Sequence, residues 1–133
     1  MKKLIVMFSL VALVILSASA AMADQAAPLS TSELKKTIGS GKKSTVVFFL
    51  NPYGGPCKAQ NEILLKLQKD RKNNFNIAYV SAMEQANQQA FYDYGIRSLP
   101  QIVIVNKHKN ISRVFPPGIQ EYETLAAALD GAK

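Results

Sequence analysis

Tyr53-Gly54-Gly55-Pro56-Cys57 is the segment of this chain whose residues could do chemistry, because it holds the only cysteine in the sequence. A helix is predicted to begin at Cys57. The orphan N–H groups and the positive dipole end of such a first turn favour an anionic, nucleophilic sulfur. A lone cysteine packed against a sheet is equally a common, inert core residue, so the residue physics leaves both readings open. The rest of the inventory works by elimination. One cysteine cannot make an internal disulfide or a multi-cysteine zinc site, and one histidine cannot make a His cluster. That histidine, His108, stands between Lys107 and Lys109 in a predicted turn and is expected to be solvated. No metal and no cofactor is therefore expected, and any thiol chemistry needs a sulfur from a second molecule.

The elements that must position Cys57 can be read from hydrophobic periodicity. Thr45 to Leu50 is a continuous β-branched and aromatic run, the pattern of a strand buried on both faces, and Asn51-Pro52 stops it. Cys57 to about Lys72 follows as an amphipathic helix with Gln60, Ile63, Leu64 and Leu67 on one side. Upstream, Ser30 with Glu33 three residues later forms a capping box for a short helix through about Ile38. Downstream come a strand over Phe75 to Val80, a helix over Glu84 to Tyr94 closed by Gly95, and strands over Gln101 to Val105 and Ile111 to Phe115. Asn106 to Lys109 suits a hairpin turn between those two strands. A last helix over Ile119 to about Leu129 places Ile119, Tyr122, Leu125, Ala126 and Leu129 on one face. Phe91, Tyr92 and Tyr94 are expected as core and cover. Helices between strands imply parallel crossovers and the hairpin adds antiparallel pairing, which gives an α/β fold with a mixed sheet covered on both sides. Asp24 to Leu29 lacks a convincing apolar run, so the sheet is expected to have four strands, or five if that lead-in pairs.

Length and charge bound the remainder. The chain has 133 residues and is 48% hydrophobic, enough for a core in one domain. Lys and Arg number 16 against 9 acids, a formal charge of +7, yet no long basic run or aromatic stripe suggests nucleic-acid binding. Met1-Lys2-Lys3, the apolar stretch Leu4 to Leu16, and Ala21-Met22-Ala23 have the layout of a secretory signal peptide cleaved after Ala23. The expectation is a signal segment at 1–23 and a single domain at 24–133, periplasmic or secreted, with membrane contact only if the segment is uncleaved. Its removal takes Lys2 and Lys3 and lowers the charge from +7 to +5. A monomer is expected.

Two motifs in register carry a family resemblance. Tyr53-Gly54-Gly55-Pro56-Cys57-Lys58 resembles the Trp-Cys-Gly-Pro-Cys-Lys of thioredoxins, with Tyr for Trp and Gly54 for the first Cys. Tyr94-Gly95-Ile96-Arg97-Ser98-Leu99-Pro100 is similar to the family's Tyr-Gly-Ile-Arg-x-Ile-Pro, whose proline is cis and faces the active site. The likeness runs over about residues 30–131 and includes Gly118 before the last helix. It implies a thioredoxin-like sheet of four or five strands, a cis Leu99-Pro100 bond, and a substrate groove formed by Tyr53, Gly54, Gly55, Pro56, Leu99, Pro100 and Gly118, with Cys57 as the candidate thiol.

The departures bear most on activity. In the family the first Cys attacks a substrate disulfide and the second resolves the mixed disulfide. Gly54 occupies the attacker's place, and Phe48 aligns with a buried aspartate that helps proton transfer in thioredoxins. Disulfide reduction by the two-cysteine route is excluded. Two roles remain, with protein or peptide thiols and disulfides, or a small thiol, as partners. One is mixed-disulfide exchange through Cys57 alone, if Gly54 and Gly55 leave the sulfur open. The other is a redox-inactive module that docks extended chains.

Overall fold

The computed structural model describes residues 25–132. The signal-segment reading of 1–23 falls outside those residues. β1 (Thr45–Leu50) and β3 (Gln101–Val105) have the bounds the sequence predicts, β2 (Asn76–Ser81) is shifted by one residue, and β4 (Ile111–Val114) ends one residue early. The sheet runs β2-β1-β3-β4. β1 pairs parallel to β2 and antiparallel to β3, and β3 pairs antiparallel to β4, which is the mixed sheet expected. There are four strands among the described residues. The lead-in contributes one isolated bridge, Ala26 opposite Asn110, on the side of β4 away from β3.

Period-two alternation along β1 sends its side chains into two separate core layers. Val47 and Phe49 pack with Leu34, Ile38, Ala90 and Tyr94. Val46 and Phe48 pack with Cys57, Leu64, Leu67 and Leu125 on the opposite face. That second face is covered by α2 (Gly55–Asp70) and α4 (Tyr122–Gly131). The first is covered by α1 (Ser32–Leu34), which continues as a wider turn over Lys35–Gly39, and by α3 (Gln88–Asp93), which follows a tighter turn over Gln85–Asn87.

Three local readings are corrected. The cap of α1 is Thr31, whose hydroxyl accepts from the Leu34 N–H at 3.1 Å, while the Ser30 hydroxyl donates instead to Asp93 on α3. Ile119 lies before α4 and is exposed, because the backbone at Glu121 is still extended (ψ 155°) and the helical period cannot reach back past it. Tyr92 is 83% exposed, although Phe91 and Tyr94 pack on the core as expected.

The lead-in and α3 are tied by two titratable groups. The buried Tyr94 donates its hydroxyl to the Pro28 carbonyl at 2.8 Å, and burial, then the nearby Asp93 charge, pushes its ionisation well above the usual 10.0. The Asp93 carboxyl is held below its usual 3.8 by hydrogen bonds from Ser30 and then Gln89. A raised tyrosine contributes stability that is present below its unfolded value and lost as pH climbs through the folded one; a lowered carboxyl contributes stability lost as pH falls through its folded value. The urea midpoint is therefore expected to fall above about pH 10 and below about pH 4. Tyr94→Phe should flatten the alkaline limb and Ser30→Ala the acid limb. Unchanged limbs in both variants would refute the assignment.

Candidate functional site

The loop after β1 is built around Asn51. Its side-chain oxygen accepts from the Tyr53 N–H at 3.0 Å, its carbonyl accepts from the Gly54 N–H at 3.0 Å, and its own N–H donates to Cys57 Sγ at 3.4 Å. This is an Asx-type turn that delivers the chain into α2. Gly54 caps the helix with ordinary extended angles (φ −79°, ψ 131°), and Pro56 sits in the first turn, where a missing N–H costs nothing. The helix accordingly starts at Gly55, two residues before the predicted start.

Cys57 is only 3% exposed and belongs to the core layer that contains Phe48 and Leu64. The open sulfur that the paired glycines suggested is thus not what the fold presents: removing side chains from positions 54 and 55 uncovers the loop, whereas Cys57 turns inward onto the sheet. Gly55 has no heavy atom near its missing Cβ, so its lack of a side chain shapes only the surface. At Gly54 a Cβ would stand 3.6 Å from Cys57 Sγ and 3.4 Å from the Asn51 carbonyl, both ordinary contacts. Neither the angles nor the space at position 54 demand glycine. Beside the sulfur, Leu50, Asn51, Pro52, Lys58 and Asn61 form a shallow cleft with Cys57.

The second half of the site is the loop before β3. Leu99-Pro100 is cis, as the motif implies, with Pro100 buried and Leu99 half-buried against both core layers. The Pro100 carbonyl accepts from the Gly118 N–H at 2.9 Å, and Gly118 holds φ +119°, a conformation that favours glycine. Tyr53 stands at the rim, 78% exposed. The structure therefore joins Leu99, Pro100 and Gly118 by direct bonding and packing, and joins Gly54 to Cys57 through the Asn51 turn.

Asn51 and Gln60 are the site residues that sequence reasoning missed. Gln60 is fully buried on the inner face of α2, where it accepts from the Gln120 N–H at 2.6 Å and donates to the Gln120 carbonyl at 3.2 Å. It ties the helix that carries Cys57 to the segment that carries Gly118. The signals were present: an Asn-Pro pair at a strand end marks a turn, and a lone amide among Ile63, Leu64 and Leu67 marks a polar strut. Among the described residues no cluster of three His, Cys, Asp or Glu could hold a metal ion.

The sequence model of the Thioredoxin family matches residues 25–130. The chain belongs to the thioredoxin family. Its solved structural neighbours agree in fold. The chloroplastic thioredoxin z superposes with a TM-score of 0.63 at 18% identity, over 82% of this chain and 95% of that one. Thioredoxin-2, a component of the malaria parasite protein secretion machinery, gives 0.60 at 19% identity over 68% and 84%. A mutant thioredoxin from Halobacterium salinarum gives 0.61 at 18% identity over 71% and 79%. This thioredoxin-family chain has the cis-proline loop and an inward-facing cysteine, and lacks a second cysteine.

Proposed function

We propose that the protein is an exported thioredoxin-family module that docks extended segments of thiol- or disulfide-bearing partner proteins between the Tyr53–Pro56 loop and the Leu99-Pro100 loop, without a dithiol cycle of its own. The observation that carries this reading is the free main chain beside the cis-proline. Among the described residues, no backbone or side-chain hydrogen bond engages the N–H or C=O of Ser98 or Leu99. Unpaired main-chain groups next to a buried proline and a half-buried leucine are what an added extended strand needs: the backbone supplies affinity, and Leu99 and Tyr53 supply apolar contact. Export is supported by the charged start, apolar stretch and Ala-Met-Ala site of residues 1–23. A mature protein recovered from cells should begin at Asp24.

Carboxymethylated α-lactalbumin, unfolded and without free thiols, tests the docking reading. Saturable binding is expected from the change in tyrosine fluorescence, preserved in Cys57→Ala and lost in Ser98→Pro, which removes an N–H. Binding that needs the sulfur, or that survives Ser98→Pro undiminished, would overturn it.

A second reading, one-thiol exchange, is favoured by the space at position 54. With no side chain there, a foreign sulfur could take the place beside Cys57 Sγ that a first cysteine would fill. The Cys57 thiolate would attack a disulfide R–S–S–R′, forming Cys57–S–S–R and releasing R′–S⁻; an external thiolate R″–S⁻ would then free Cys57 and depart as R″–S–S–R. The burial of Cys57 predicts the opposite for simple reagents. Alkylation by iodoacetamide should be at least about a hundredfold slower in the native protein than in urea, as expected when reaction waits for local opening. Equal rates would favour the exchange reading over docking alone.

A further inference from the structure

The sheet ends on β2 at one side and β4 at the other, and the lead-in reaches only β4, through the Ala26 bridge. β2, Asn76-Ile77-Ala78-Tyr79-Val80-Ser81, has no such neighbour. Its six residues hold no charge and no proline, and their register with β1 is unbroken. Free edges are ordinarily blunted by such devices, and one without them is competent to pair.

The ladder fixes which main-chain groups this edge offers. The Asn76 and Ala82 N–H groups donate to the Ser44 and Leu50 carbonyls at 2.9 and 2.8 Å. Successive residues of a strand turn their main-chain groups to opposite sides, so Ala78 and Val80 also face β1, and Ile77, Tyr79 and Ser81 face outward. The Ser81 carbonyl already accepts from the Asn87 side chain at 3.1 Å, and the Phe75 carbonyl from Gln68 at 3.2 Å. Between those limits Ile77 and Tyr79 each keep a free N–H and a free C=O among the described residues.

That set is its own complement. In an antiparallel pair about a two-fold axis through Ala78, Ile77 of one copy stands opposite Tyr79 of the other, and each such pair exchanges both bonds. Every free group of the two residues finds a partner. The side chains agree: Tyr79 meets Ile77 twice across the axis, aromatic against β-branched, a favourable cross-strand pair. On the axis, where Cα atoms come within about 4.5 Å, stands the small Ala78.

Helix α2 extends the contact. Asn61 accepts from the Tyr79 hydroxyl at 2.8 Å and Gln68 reaches Phe75, so the side of α2 that carries them overhangs β2. Leu65 lies between them at helical spacing and, like Tyr79, is exposed. Glu62 and Lys69 stand three residues before and four after Leu65. The two-fold axis runs the two helices antiparallel, which sets the acid of one copy toward the base of the other. A strand of an unrelated protein would have to match all of these features, whereas a second copy carries them in register.

We propose that two copies of this chain pair through β2, in place of the single copy expected from the sequence, so that four strands from each form one sheet of eight. The antiparallel arrangement points the two Cys57 loops in opposite directions and leaves both open to partners.

The test is sedimentation equilibrium of the protein as recovered from cells, from micromolar to near-millimolar concentration. Expected is a mass that rises with concentration to twice that of the chain. The dissociation constant should increase at least about tenfold in Tyr79→Lys and in Leu65→Lys, because each change enters the symmetric contact twice. Val114→Lys, exposed on the other outer strand, should leave it unchanged. Residues 1–23, where retained, are common to parent and variants. Hydrogen exchange of the parent gives a readout that needs no substitution: the Ile77 and Tyr79 amides should exchange freely in dilute solution and be protected in concentrated solution. A parent that stays monomeric throughout would overturn the proposal and leave the edge to a strand of another protein. So would association weakened equally by Val114→Lys, or amides at 77 and 79 that exchange alike at both concentrations. The docking groove contributes no residue to this contact, so neither result decides the other.

Discussion

Gly54→Cys is expected to turn this single-thiol chain into a dithiol redox protein. The substitution meets no structural resistance: the backbone at 54 has angles any residue adopts, and the new Cβ would make only ordinary contacts, 3.6 Å from Cys57 Sγ and 3.4 Å from the Asn51 carbonyl. A sulfur carried one bond beyond that Cβ can be brought to the S–S bonding distance of about 2.05 Å from Cys57 Sγ by rotamer adjustment. The new thiol would sit on the open side of the loop, as an attacking nucleophile must, with Cys57 behind it to resolve the mixed disulfide. With oxidised glutathione the variant should lose two hydrogens by mass and all reactivity toward thiol reagents. With dithiothreitol as reductant it should reduce insulin about tenfold or more faster than the parent, whose rate should equal the reductant's own. A variant that stays dithiol under oxidised glutathione would show the geometry at position 54 to be wrong; a parent that turns over insulin unaided by Gly54→Cys would refute the missing-nucleophile argument.

The other large effect is expected at Phe48, where the family resemblance places a buried aspartate. Phe48 is fully buried in the layer that holds Cys57, with its ring 5.9 Å from that of Tyr79. Removing a buried phenylalanine costs about 3–5 kcal/mol in cavity and transfer terms. A carboxyl in its place adds a polar group that this apolar layer cannot satisfy, at a further cost of about 1–3 kcal/mol even when neutral. Phe48→Asp is therefore expected to lose more than about 4 kcal/mol, a large share of the roughly 5–15 kcal/mol that holds a small domain together. Phe48→Leu, which keeps most of the volume, should lose less than about 2 kcal/mol. Denaturant midpoints of the two variants check the ordering. A Phe48→Asp protein as stable as the parent would mean that this layer admits water, and that the acid of the two-cysteine enzymes was lost without a packing gain.

Legibility in the sequence tracks how far each feature depends on neighbours in the chain. β1 and β3 were readable to the residue because each is a short, near-continuous apolar run rich in β-branched residues, polar only at its first position (Thr45, Gln101) and ended by an asparagine. The end of α2, at Asp70, was blurred by Lys72, which looks helical in composition but turns to positive φ (53°), as does the Asn73 that breaks the helix (57°). Ser30 and Thr31 are both competent caps, and the choice between them was made by Asp93, a residue 63 positions beyond Ser30. The chemical loop and the cis-proline loop were legible because each is a contiguous motif. Asn51 and Gln60 were not, because their roles exist only once Tyr53, Cys57 and Gln120 are brought to them. The inward turn of Cys57 was hidden for the same reason: sequence places it in the first turn of a helix without saying which way that turn faces.

The bridge between Ala26 and Asn110 has a bearing on how the protein behaves in concentrated solution. β4 is one of the two outer strands of the sheet, and an outer strand offers a row of main-chain groups on which another molecule can grow. Gln25 and Ala27 cap the first part of that row. Farther along, Arg113 is exposed and its guanidinium lies 4.5 Å from the centre of the Phe115 ring, which sets a charge on the part the lead-in does not reach. The residues from Gln25 to the first helix thus bear on solubility as well as on packing: trimming them would take Ala27 out of the first core layer and the Pro28 carbonyl away from Tyr94, and would also uncover a template for strand-by-strand aggregation.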